Sequence, residues 1–167
     1  IEHKGHIGAL FRPLIGNRVF GCDDCLAICP WNKFAATARE TKLQAREDLS
    51  APRLAELLRL DDAAFRALFT KSAVKRIGHD RFTRNVLIAA GNSGDPALAQ
   101  PVAEKLKSPS ALVRAMAVWA LGRLVPLPDL AEFARRWRPG ETDDVVEAEW
   151  AAAMDGAPER AVTPGRG

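Results

Sequence analysis

The sequence predicts a mainly α protein in two unequal parts: a loop-rich segment organised by bound metal, then paired helices in repeat. Three observations predict it. All three cysteines fall between positions 22 and 29, inside "GCDDCLAICPWN". Glycine and proline interrupt residues 1–34, which show little apolar periodicity. From residue 50 onward apolar side chains recur at helical spacing, and beyond Arg81 the pattern returns after 31 positions.

At 167 residues the chain can hold one domain or two small ones with a real core. No apolar run approaches the ~20 residues of a membrane span, and residues 1–8, "IEHKGHIG", carry no apolar h-region. The expectation is a cytoplasmic monomer with no membrane partner. Three cysteines in one motif and none elsewhere exclude a disulfide framework and fit metal ligation in a reducing compartment. A net charge of +3 is too small to name a partner. Its distribution is more telling: Lys71, Lys75, Arg76, Arg81 and Arg84 face one acid, Asp80, and the balance reverses from Glu141 to Glu159.

Residues 1–49 form the first part, punctuated by Gly5, Gly8, Gly16, Gly21, Pro13 and Pro30. Residues 50–156 form the second. Ser50 is positioned to cap a helix bearing Leu54, Leu57 and Leu58, with Pro52 in its first turn. Asp61 is positioned to cap the next, with Phe65, Leu68 and Phe69 on one stripe. In the repeat, "IAAGN" (88–92) falls on "WALGR" (119–123), Val102 and Leu106 fall on Phe133 and Trp137, and Trp119 falls on Trp150. Asp95-Pro96 and Ser108-Pro109 mark openings of second helices. A period near thirty built from helix pairs matches HEAT-like packing, in which each pair buries its apolar face on the next. A generic helical bundle is the plainer alternative. The tail, residues 157–167, has the composition of a disordered segment.

The cysteines run C-x2-C-x3-C-P through Cys22, Cys25, Cys29 and Pro30. His3, His6, Cys22 and Cys25 together supply a tetrahedral zinc count, but that reading leaves Cys29 and Pro30 without a role. Unrelated buried thiols are a third reading. A ferredoxin-like iron–sulfur reading uses the whole motif. In bacterial two-cluster ferredoxins the run is C-x2-C-x2-C-x3-C-P, and the cysteine before proline ligates the other cluster. Here the run lacks its leading cysteine. By that logic Cys22 and Cys25 bind one [4Fe–4S] cluster and Cys29 a second, with the remaining ligands outside this chain.

"IEHKG", "RPLIGNRVFGCDDCLAICPWNKFA" and "SAVKRIGHDRFTRNVLIAAGNS" resemble the C-terminal part of the epoxyqueuosine reductase family of tRNA-modifying enzymes, over about residues 1–125. The resemblance implies a cobalamin-binding catalytic domain ahead of this chain, a two-cluster module and a HEAT-like domain. The family's leading cysteine lies a few residues before "IEHKG", so the missing ligands are expected on that preceding part. The implied reaction removes the epoxide oxygen of epoxyqueuosine at the wobble position with two electrons, giving queuosine. The family's general acid lies in the cobalamin domain, which leaves no catalytic proton donor here. Lys4 and Asp23 are cobalamin-side candidates, with solvated loop charges as their plainer reading.

The stretch from Lys71 to Arg84 sits where the family meets tRNA. Lys71, Lys75, Arg76, Arg81, Arg84 and Asn85 are therefore candidate tRNA contacts, the cations by phosphate neutralisation. This stretch is less basic than the family pattern, and a solvated helix face is its plainer reading. Trp31, directly after the cysteines, is expected to shield a cluster, whereas Trp119, Trp137 and Trp150 are expected in the core. An unidentified electron donor completes the expected partners. A corrinoid iron–sulfur reductase of the reductive dehalogenase type and a helical interaction module with structural zinc are the competing functions.

Overall fold

The computed structural model describes residues 2–21, 23–34, 49 and 52–156. Among them the regular structure is helical, with no strand: α1 (Arg12–Ile15), α2 (Asp24–Ala27), α3 (Leu54–Arg59), α4 (Asp62–Leu68), α5 (His79–Ser93), α6 (Ala99–Glu104), α7 (Ala111–Leu124), α8 (Leu127–Trp137) and α9 (Asp144–Met154), joined by short 3-10 turns. Residues 157–167, expected to be a disordered tail, lie outside the described residues, as do Ser50 and Cys22.

The long helices pack in succession, α5 on α7 and α7 on α9. Every residue from Phe82 to Gly91 is buried, as is every residue from Ala115 to Gly122. Helix α7 has neighbours on both sides, which explains why "ALVRAMAVWALGRL" carries so few polar residues. The two positions that the 31-residue shift superimposes, Gly91 and Gly122, are both points of close approach. A Cβ on Gly91 would lie 2.6 Å from the Trp119 ring, and one on Gly122 would lie 3.2 Å from the Ala153 Cβ. Trp119 and Trp150 are buried in the core, and Trp137 is half-buried against it.

Several local signals act as expected. Asp61 accepts a hydrogen bond from the Ala64 amide at the start of α4, and Asp95 accepts one from Ala97. Phe65, Phe69 and Phe82 meet with ring centroids 5.0–5.3 Å apart. Two signals differ. Helix α3 begins at Leu54 with Arg53 at its cap position, so Pro52 lies ahead of the helix rather than in its first turn. Ser108 closes the turn after α6 and accepts from the Ser110 amide, and it is Ser110 that precedes α7.

The N-terminal segment lies against α5 and is tied to it by side chains. Asn92 donates to the carbonyls of Arg12 (2.8 Å) and Gly16 (2.9 Å). Asn85 donates to the Val19 carbonyl at 2.8 Å. Arg84 donates to the carbonyls of His3 (2.7 Å) and Gly5 (2.6 Å). Arg12, itself buried, reaches the Glu149 carboxylate on α9 through two hydrogen bonds. Both the Arg12 and Arg123 guanidinium groups lie over the Trp119 ring, 5.6 and 5.1 Å from its centre.

Candidate functional site

The cysteine run is shaped by two left-handed residues, Gly21 (φ +71°) and Asp23 (φ +53°), on either side of Cys22. Glycine takes that conformation without a Cβ penalty, and aspartate is among the residues that tolerate it. The chain then turns into α2. The amides of Leu26 and Ala27 both donate to the Asp23 carbonyl, at 2.9 and 2.8 Å. The Asn32 side chain donates back to the Leu26 carbonyl at 2.6 Å, closing the loop around Cys29. Arg18 pairs with Asp24 across the turn at 2.9 Å.

Cys25 is exposed and Cys29 half-exposed, and both are free thiols. Accessible thiols on a short, internally hydrogen-bonded turn suit an iron–sulfur ligand set, because thiolate is the donor that such clusters take. Around them Leu26, Ile28, Trp31 and Phe34 are more than half exposed, as are Leu10, Phe11 and Leu14 on the preceding turn. Trp31 is 72% exposed and its ring lies 5.6 Å from that of Phe34. Among the described residues no three His, Cys, Asp or Glu side chains are close enough together to hold a metal ion. His3, His6 and Cys25, the described members of the zinc quartet, are therefore not gathered. Within the described residues the His6 Nδ1 is buried without a hydrogen-bond partner.

Lys4 and Asp23 are both exposed. Asp23 borders a groove of about 630 Å³ between the cysteine segment and α3, lined also by Arg18, Val19, Phe20, Leu57 and Phe82.

The basic stretch divides. Lys71 is exposed on a turn with φ +61°. Lys75 and Arg76 lie on the 3-10 turn Ala73–Ile77, which Gly78 (φ +79°) ends. Arg76 remains 67% exposed while pairing with Glu2 at 2.6 Å, and the half-exposed Arg81 reaches the Glu2 carbonyl at 3.4 Å. The Arg76 hydrogen bond, with the charges of Arg76 and Arg81, holds the Glu2 carboxyl below its ordinary value. Arg84 and Asn85 are placed otherwise than expected for phosphate contacts. They are 0% and 2% exposed, beneath the N-terminal segment. Burial lowers the Arg84 guanidinium to about 10, and the nearby charge of Arg81 acts in the same direction.

Three anchoring residues escaped sequence reasoning: Arg12, Asn92 and Glu149. Asn92 stands seven positions after Asn85, two helical turns along α5, and that spacing was the one available signal. Nothing local marks Arg12 or Glu149 as partners.

No protein-family model matches the chain. In sequence it is similar to the epoxyqueuosine reductases of Alicycliphilus denitrificans (42% identity over 74% of this chain and 36% of that one), Pseudomonas aeruginosa (43%, 74% and 34%) and Escherichia coli (37%, 75% and 33%). The chain spans about a third of the length of the curated relatives it matches. Its fold is similar to that of an epoxyqueuosine reductase crystallised with a tRNA-Tyr epoxyqueuosine-modified stem loop: TM-score 0.85, 26% identity, 93% of this chain and 41% of that one. It is also similar to the epoxyqueuosine reductase of Streptococcus thermophilus: TM-score 0.78, 28% identity, 92% and 41%.

Proposed function

We propose that this chain is the C-terminal, electron-relay and tRNA-docking portion of an epoxyqueuosine reductase, a cytoplasmic enzyme that converts epoxyqueuosine to queuosine at the wobble position of tRNA. The observation that carries the reading is the joint likeness: about two-fifths sequence identity across three-quarters of the chain, and a fold match across nine-tenths of it to a reductase bound to a modified tRNA stem loop.

The reduction takes two electrons and two protons, and the epoxide oxygen leaves as water. Cobalamin supplies the reducing centre and two [4Fe–4S] clusters supply its electrons when these groups are bound. The work of this chain's own residues is narrower. Cys22 and Cys25 ligate one cluster and Cys29 the other, each site being completed from a preceding part of the protein. Trp31, Ile28, Leu26 and Phe34 present an apolar surface that excludes water once a cluster and that part are in place. Lys4 and Asp23 remain the candidates nearest a cobalamin. The helix pairs α5/α6 and α7/α8, followed by α9, form a HEAT-like stack, supported by the equivalence of Gly91 and Gly122. Lys71, Lys75, Arg76 and Arg81 provide accessible charge for the tRNA backbone. The buried Arg84 and Asn85 hold the cysteine segment instead.

Anaerobic purification of the full-length protein, with the preceding part that completes both sites, and assay of iron, acid-labile sulfide and zinc test the reading. Iron and sulfide in near-equal amounts, approaching eight of each per full-length protein, are expected for two four-iron clusters. Stoichiometric zinc with no sulfide would replace the reductase reading with that of a structural zinc module.

A further inference from the structure

We infer that Asn85, oriented by Arg84, is a positioning residue for the cysteine run, so that the second part of the chain sets the environment of a cluster it does not ligate. The inference rests on the iron–sulfur reading above and adds to it a device that the cysteine spacing does not contain.

The geometry is a relay that joins the Arg84 guanidinium, the Asn85 amide and three backbone carbonyls. Arg84 donates to the Asn85 Oδ1 twice, from Nε at 3.1 Å and from Nη2 at 2.8 Å. A guanidinium has only donors, so it requires the oxygen of the amide and leaves the Asn85 Nδ2 facing the other way. That nitrogen donates to the Val19 carbonyl at 2.8 Å. Val19 stands two residues before Gly21, whose positive φ turns the chain into the cysteines. The third guanidinium nitrogen of Arg84 meanwhile holds the carbonyls of His3 and Gly5. One buried pair on α5 thus fixes the start of the N-terminal segment and the residue leading into the cysteine run.

The arrangement costs burial of a cation. Arg suits position 84 because its planar fork makes four hydrogen bonds here, to two carbonyls and an amide oxygen, more than the three donors of a lysine ammonium supply. Helix α5 is buried from Phe82 to Gly91 and braced by α7, so its side chains make a stiff reference. The cysteine turn, by contrast, is mostly exposed and held chiefly by local bonds. Cluster potential follows solvent exposure and hydrogen bonds to sulfur. A residue that fixes the approach of the chain to its ligands therefore acts on potential without touching iron.

The test uses the anaerobically purified holoprotein with Asn85→Ala, Asn85→Asp and Arg84→Lys. Asn85→Asp keeps the acceptor for Arg84 but sets a carboxylate against the Val19 carbonyl. Amide exchange across residues 17–29 should rise about tenfold or more, while exchange in α7 stays as in wild type. Asn85→Ala changes no charge and should shift the midpoint potential and alter the paramagnetic spectrum of the cluster assigned to Cys22 and Cys25. Arg84→Lys should give an intermediate effect. In the wild type, the Asn85 side-chain amide protons should exchange far more slowly than those of an exposed asparagine. Free exchange of those protons overturns the inference without any variant, and so do folded Asn85 variants with unchanged potential and unchanged exchange at 17–29. A wild type without iron sinks the cluster assignment instead, and the two exchange measurements then decide the positioning role alone.

Discussion

Arg12 and Glu149 join the opening segment of the chain to its last described helix through a two-bonded ion pair, across 137 positions of sequence. Arg12 is 4% exposed and Glu149 13%. The same guanidinium donates to the Ile7 carbonyl and lies over Trp119, so it touches the N-terminal segment, α7 and α9 at once. The cysteine segment is therefore fixed to the helical stack at two levels, by Arg84 and Asn85 near its middle and by Arg12 at α1.

Removal of one member leaves a buried charge. Arg12→Ala should cost roughly 3–5 kcal/mol, and Glu149→Ala should cost less, because the carboxylate is nearer solvent. The double variant should cost less than the sum of the two. Chemical denaturation of all four proteins measures the coupling, and additive costs would mean that the pair is not coupled.

The two glycines that the 31-residue shift superimposes carry different tolerances. Gly91→Ala brings a Cβ to 2.6 Å from the Trp119 ring and 3.1 Å from the Ala120 backbone. It should destabilise by about 1–3 kcal/mol by overpacking. Gly122→Ala meets the Ala153 Cβ at 3.2 Å. There the helix propensity gained, about 1 kcal/mol, should nearly offset the crowding. Thermal unfolding ranks them, and equal losses at the two sites would refute the distinction.

Glu141 accepts from Arg114 through both carboxylate oxygens, each at 2.8 Å, and from the amides of Thr142 and Asp143. The Arg114 hydrogen bonds come first among the causes that bring its carboxyl to about 2 from an ordinary 4.5, and the two amides reinforce them. A depressed carboxyl stabilises the fold when ionised. Its contribution is therefore complete above pH 4.5 and is lost as pH falls from there toward 2. Glu141→Gln should lower stability at pH 7 by about 2 kcal/mol and flatten the acid limb in that window. An acid limb identical to wild type would show that other carboxylates govern it.

How much of this could be read beforehand depends on the range of each contact. Asp61 and Asp95 cap their own helices, and their partners lie within three residues, so spacing alone revealed them. Gly91 and Gly122 stood out at the 31-residue shift, and at each a second helix approaches closely. Arg84 looked like one more cation in a basic run. Its burial comes from a segment some eighty positions away that lies over α5, and a local charge pattern holds no record of that cover. Arg12 is the same case from the other side: an arginine beside a proline in a glycine-punctuated stretch, paired with a helix at the far end of the chain. Cys25 and Cys29 drew a metal-ligand reading from their chemistry alone, since thiols at that spacing have few other uses.

The cysteines give a direct test of the crossed ligand assignment. In the full-length protein, Cys22→Ser and Cys25→Ser should damage one cluster and Cys29→Ser the other. Iron content with paramagnetic resonance of each variant distinguishes them. One shared signal lost in all three, with the second spared, would reject the assignment.

The basic surface should bind the tRNA backbone without base preference, and Glu2 should restrain it. Lys71 and Arg76 are exposed and Lys75 and Arg81 partly exposed, whereas Arg84 is buried. Each phosphate contact removed should flatten the slope of log affinity against log salt by roughly 0.7 to 0.9. Lys75→Ala and Arg76→Ala should each do so, and both should weaken different tRNAs about equally, because phosphates position while bases specify. Arg84→Lys should leave the slope unchanged, since that cation lies beneath the N-terminal segment. Glu2→Gln should strengthen binding severalfold at low salt, because it removes the carboxylate that Arg76 holds at 2.6 Å. Binding of these variants to several tRNAs across a salt series is the measurement. Slopes unchanged by Lys75→Ala and Arg76→Ala, together with no gain from Glu2→Gln, would leave the stretch as a solvated face and move tRNA docking elsewhere on the protein.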